Sequence, residues 1–214
     1  MFRKLMLLIG IFGVLVVWVS GTRSEESTEK KIESFQQKFE DILAGKGEGG
    51  AYVGVKPCVG CHTTEKSGAQ VKVWKAAAHS KAYESLLSED GKKRAAAKGI
   101  QKPEEDTNCL QCHAPIVTLP KELVGPKYLA DEGVGCETCH GPLEKHVLME
   151  KQALKEKREI PEAVSMIIRA NDMDLKKVLC ARCHREHEWH ESVAFDLDAS
   201  WKKIAHMRPK ETTP

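Results

Sequence analysis

Cysteine and histidine carry the chemistry of this sequence, and their spacing is regular. The eight cysteines fall into four pairs, CVGCH (58–62), CLQCH (109–113), CETCH (136–140) and CARCH (180–184). Each pair is Cys-x-x-Cys followed at once by His: Cys58, Cys61 and His62; Cys109, Cys112 and His113; Cys136, Cys139 and His140; Cys180, Cys183 and His184. This is the spacing of c-type haem attachment. On one helical turn, residues i and i+3 face the same way. Two thiols so placed can form thioethers with the two vinyl groups on one haem edge. His at i+4 then lies over the porphyrin face, where its nitrogen reaches the iron. The expectation is four covalently bound haem c groups. Paired C-x-x-C motifs also build zinc sites, but zinc needs two pairs facing one ion and gives no reason for a His after every pair. Disulfides suit an exported chain, yet the spacing points to redox or metal chemistry first.

Five further histidines remain: His79, His146, His187, His190 and His206. A second His on the far face makes an iron six-coordinate, which favours electron transfer; an iron without one can bind a small molecule. His79 and His206 end two similar stretches, WKAAAH (74–79) and WKKIAH (201–206), far from any CxxCH. They are expected on helices of their own, each as a far-face ligand, with Trp74 and Trp201 packing against haem edges or as ordinary core. His146 follows His140 by six residues, about 9 Å of helical rise. It cannot wrap round to the far face of its own motif's haem, so it must serve another haem or none. The same limit applies to His187 and His190 after His184, where a surface position or a propionate contact fits better.

The elements that must position these groups read as helices. Segments 70–87, 92–98, 143–158, 174–190 and 199–207 carry helical patterns, and Pro103, Pro115, Pro120, Pro126 and Pro161 break the chain between them. No alternating pattern argues for a substantial sheet. The fold class is therefore mainly α, a multihaem cytochrome c fold with helices packed around the haems. In the N-terminal stretch MFRKLMLLIGIFGVLVVWVSG, Arg3 and Lys4 precede an apolar run ending at small residues. Residues 1–21 thus read as a signal peptide or a short membrane anchor through residues 5–21. Residues 22–50 read as a charged amphipathic helix, striped by Ile32, Phe35, Phe39 and Ile42, then a Gly-rich link, GKGEGG (45–50). Residues 51–214 form the tetrahaem domain. The chain is 41 % hydrophobic but only 6 % aromatic, so haem is expected to supply apolar bulk to the core. The formal charge is +2 with signs well mixed, and no basic run of the kind nucleic acid requires is present.

CVGCH, then WKAAAHSKAYESL, DTNCLQCH, GVGCETCHGPLEKH and CARCH, in this order, resembles the cytochrome c-554 family of periplasmic tetrahaem cytochromes, over roughly residues 56 to 206. Members of that family accept electrons from hydroxylamine oxidoreductase. The resemblance implies that the second haem, held by Cys109, Cys112 and His113, lacks a far-face His. It implies His146 opposite His62 on the first haem, and His79 and His206 on the third and fourth in an order left open. HREHEWH (184–190) offers His187 and His190 near the fourth motif; if one of them ligates, no iron need be open. The expected function is electron transfer between redox partners in the periplasm. The alternatives are a reductase of nitric oxide or a related oxide at an open haem, and a membrane-anchored quinol oxidiser. Without Arg3 and Lys4 the basic residues equal the 31 acidic ones. Haem propionates then leave a net charge of about −4 oxidised and −8 reduced, so electrostatic docking to partners is expected.

Overall fold

The computed structural model describes residues 23–159, 161, 173–189 and 194–206. The expected leader at 1–21 and His190 lie outside them. Among the described residues the fold is helical, and no strand is present. The elements in chain order are α1 (Arg23–Leu43), α2 (Val59–His62), α3 (Gln70–Ala76), α4 (Ala82–Leu87), α5 (Glu89–Ala97) and α6 (Thr107–His113). After them come α7 (Cys136–His140), α8 (Glu144–Glu156), α9 (Met173–Cys180) and α10 (Leu197–Ile204). Short 3-10 turns join several of these. A parallel bridge joins Tyr52 and Val124.

The long helix α1 forms because its apolar residues recur on one stripe while charged ones face water. Phe39 and Ile42 are buried, and Phe35, Leu43 and Leu179 pack against them. Phe35 and Phe39 stack with ring centres 6.3 Å apart, and the Arg182 guanidinium lies 4.4 Å above the Phe39 ring. The helix is thereby docked on α9 and on the fourth motif. The Gly-rich stretch that follows lies along the start of α8: Lys145 N–H donates to Gly49 O at 2.9 Å, and Ala51 N–H donates to a Glu144 carboxylate oxygen at 3.1 Å.

The helical pattern at 70–87 resolves into three pieces. The chain leaves α3 at Ala77, which is extended (ψ 155°), makes a 3-10 turn over Ala78–Lys81 and re-enters a helix at Ala82. The local residues favour a continuous helix, since alanine is the best helix former. Tertiary bonds account for the break. His79 O accepts from Val134 N–H at 3.0 Å, and the Trp74 indole N–H donates back to Val134 O at 2.9 Å. The neighbouring Gly133 has φ +64°, and a Cβ there would meet His79 O at 2.7 Å, so only glycine lets this loop approach so closely. The pattern at 174–190 likewise stops at Cys180, and the CARCH residues turn away. No local breaker lies there; the reason is tertiary, because Arg182 reaches Phe39 and Cys183 reaches Cys112.

Candidate haem-attachment site

Each motif is presented by a short helix or turn. The second is α6 itself, capped by Asp106, whose carboxylate accepts from Asn108 N–H at 2.8 Å. The third is α7, ended by Gly141 at φ +78°. The first spans a 3-10 turn at Lys56–Cys58 and then α2. The fourth begins at the last residue of α9 and continues in turns. All eight cysteines are free thiols.

The motifs meet through their cysteines. Cys58 and Cys136 are hydrogen-bonded to each other, which holds the Cys136 thiol below its usual value and, with burial, pushes Cys58 up. Cys112 and Cys183 are joined in the same way. That bond draws Cys112 down to about 7, helped by the Arg185 and Arg182 guanidiniums. Cys139 is pushed up to about 12 by burial, with a smaller effect of the nearby Cys180 thiol. The first motif therefore touches the third, the third faces the fourth, and the fourth touches the second.

Histidines distant in sequence face one another in pairs. His62 and His146 have ring centres 6.2 Å apart, His79 and His184 6.0 Å, and His140 and His206 5.9 Å. In each pair one member comes from a CxxCH motif and the other from elsewhere in the chain. Two metal–imidazole bonds of about 2.0 Å, one on each side of a single ion, put ring centres about 6 Å apart. The three separations match that spacing, and the residues present fit haem iron held between two imidazoles. Burial pushes His62, His79 and His184 below their usual values, which favours the neutral ring that a metal needs. Among the described residues no group of three or more His, Cys, Asp or Glu is arranged to hold a bare metal ion. A macrocycle that brings its own four nitrogens needs only the two.

The second motif's His113 is oriented by α4. Its Nδ1 lies 2.7 Å from Ala82 O and 3.1 Å from the Ser85 hydroxyl. A carbonyl can only accept, so Nδ1 carries the proton and Nε2 is left for a metal. His206 Nδ1 is set in the same way by Ile204 O at 2.9 Å. His79 sits in a 3-10 turn and His206 lies past the end of α10, so neither is on the helix that its Trp-Lys-x-x-Ala-His pattern suggests. Trp74 fixes the loop before the third motif, and Trp201 lies under the Lys176 ammonium, 4.4 Å from the ring centre. His187 forms none of the three facing pairs above.

A cavity of about 300 Å³ opens between the motifs. Gln111 of the second motif, Thr138 of the third, and Arg182 and Cys183 of the fourth line it, with Arg185 and Leu43. Two guanidiniums at an otherwise mixed wall suit the carboxylates of a haem edge.

Some residues at the site gave no sign in the sequence. Phe195 stacks on His184 with ring centres 4.2 Å apart and planes 12° apart. Glu137, inside the third motif, is 3 % exposed; burial pushes its carboxyl up to about 7, against the pull of three backbone N–H donors. A Glu at one of the variable positions of CxxCH carries no mark of burial, and a single Phe in a polar stretch carries none of stacking.

The helical fold and the three facing histidine pairs have the arrangement that haem iron held between two imidazoles needs. Residues 57–141, which hold the first three motifs, match the family "Cytochrome c554 and c-prime". A curated relative is cytochrome c-554 of Nitrosomonas europaea, 32 % identical over 102 residues, an alignment covering 42 % of this chain and 38 % of that protein. Both likenesses lie in the segment that carries those motifs. The chain thus spans less than half the length of the curated relative it matches. No solved structure matches it. Among the described residues no helix is long and apolar enough to cross a membrane.

Proposed function

We propose that this chain is an exported tetrahaem cytochrome c that passes electrons between periplasmic redox proteins. The observation that carries the reading is the set of three facing histidine pairs, each joining a CxxCH motif to a distant His. His62 and His146 would hold the first iron, His140 and His206 the third, and His184 and His79 the fourth; His113 would hold the second through Nε2. The eight cysteines of the motifs would carry the thioethers. Bound haem supplies one-electron exchange between ferric and ferrous iron.

The protein's own part is to fix order and surroundings. Contacts between cysteines place the motifs in the sequence first, third, fourth, second, which supports a continuous path for electrons through crowded centres. Imidazole on both faces keeps the ligand set unchanged on reduction and so favours transfer over catalysis. Arg182 and Arg185 would neutralise propionates near the second and fourth motifs. Partners would dock through complementary charge, and export would follow from residues 1–21.

Pyridine haemochrome assay with intact mass of the exported protein tests this directly. Four haems per chain, each adding its mass covalently, is the expected result. A folded chain carrying zinc and no haem would refute it.

A further inference from the structure

The Glu137 side chain belongs to the third motif, yet its bonds lie elsewhere. One carboxylate oxygen accepts from Val53 N–H at 2.9 Å and Gly54 N–H at 2.8 Å. The other accepts from Leu143 N–H at 2.8 Å. These three donors sit on two segments far apart in sequence.

The first segment leads into the first motif. Val55 O accepts from Cys58 N–H at 2.9 Å. Gly54 is at φ +79° and Val55 N–H is held by Glu132 at 2.8 Å, so this stretch has little freedom of its own. Four residues beyond Cys58 is His62. The second segment is the start of α8. Leu143 is its N-cap and supplies no side-chain cap, so the buried Glu137 carboxylate takes that role from outside the helix. Three residues beyond Leu143 is His146, also buried. His62 and His146 are the pair that face each other at 6.2 Å. One buried carboxylate thus anchors both segments that deliver them.

We infer that Glu137 is the positioning residue of the first haem's axial pair: it sets the span between His62 and His146 although it belongs to the third motif. This rests on the reading of His62 and His146 as ligands of one iron. The three donors, two on the first segment and one on the second, are backbone N–H groups a few residues before each His, so a shift at Gly54 or Leu143 passes along a short backbone stretch to the ring. A ligand pair tolerates little of it, since a bond of about 2.0 Å is required on each side.

The test uses the haem-loaded, exported protein. Glu137→Ala is expected to turn one haem in four from low spin to high spin, seen in the visible and electron paramagnetic resonance spectra, and to let that iron bind added imidazole, which restores the low-spin signal. Glu137→Gln, which keeps one acceptor oxygen, should show the same change in part. His146→Ala should convert the same single haem, and Glu137→Ala added to it should convert no further one. If His146→Ala leaves the spectrum unchanged, the ligand reading itself is wrong. If His146→Ala converts one haem and Glu137→Ala, at full haem content, converts none, the positioning role is refuted. A change spread over several haems would also refute it, as a general loosening. Where Glu137→Ala yields no mature protein, Glu137→Gln decides: a wild-type spectrum overturns the inference.

Discussion

At the scale of single residues, the histidine pairs make the sharpest prediction. His79 faces His184 and His206 faces His140, so the two Trp-Lys-x-x-Ala-His stretches serve different motifs. His79→Ala and His206→Ala should each convert one haem to high spin, and the double variant two, because the pairs share no residue. A double variant that converts only one would place both histidines on the same iron. Glu132 offers a prediction in pH. Burial holds its carboxyl above the usual value, while the Val55 and Lys56 N–H groups pull the other way. The folded state therefore keeps this proton to higher pH than the unfolded chain does. Its contribution to stability is complete below the ordinary carboxylate range and is lost as pH rises through the raised value. Denaturant midpoints measured from acid to neutral pH should fall on this account, and Glu132→Gln should flatten the slope.

At the scale of elements, helix α1 and the capped motif helices carry the argument. Phe39 is 5 % exposed and lies between Phe35 and the Arg182 guanidinium. Truncating it to Ala removes the centre of the α1–α9 contact, a loss of about 3–5 kcal/mol for a buried aromatic. Because α1 has few other buried groups, the expected outcome is local: α1 detaches, and limited proteolysis cuts between residues 43 and 51 faster than in the parent. The motif helix α6 is short, and Asp106 is its N-cap. Asp106→Ala should cost about 1 kcal/mol, read as a lower denaturation midpoint at unchanged haem content. Asp196 caps α10 in the same way, its carboxylate accepting from Ala199 N–H at 3.0 Å. There the cost should be accompanied by weaker ligation through His206, two residues past the helix.

At the scale of the molecule, the buried apolar set is thin. Among the described residues it consists mainly of single aliphatic side chains, with Tyr52 and Phe39 the large aromatic members. Small apolar surfaces scattered over helices that are mostly short do not offset the entropy of ordering such a chain. Replacing all eight cysteines with Ala should therefore leave an expanded chain, measured by small-angle scattering and near-ultraviolet circular dichroism. A compact apo form would show that the polypeptide needs no haem to fold. Electron transfer to a charged partner should slow as salt rises, since mixed surface charge gives steering that ions screen within about 10 Å.

The four CxxCH motifs, the mainly helical class, the stripe of α1 and the candidate far-face histidines were all legible in the residues. Covalent attachment and amphipathic packing act over one or two helical turns, and spacing in the sequence is then spacing in space. The break in 70–87, the end of α9 at Cys180, the rings that His79 and His206 face and the burial of Glu137 came only from the tertiary structure. Each depends on contacts between residues tens of positions apart, such as Val134 with His79, Arg182 with Phe39 and Glu137 with Val53. A local pattern records what a segment prefers alone; it carries no term for the carbonyl, ring or carboxylate that another segment brings to it.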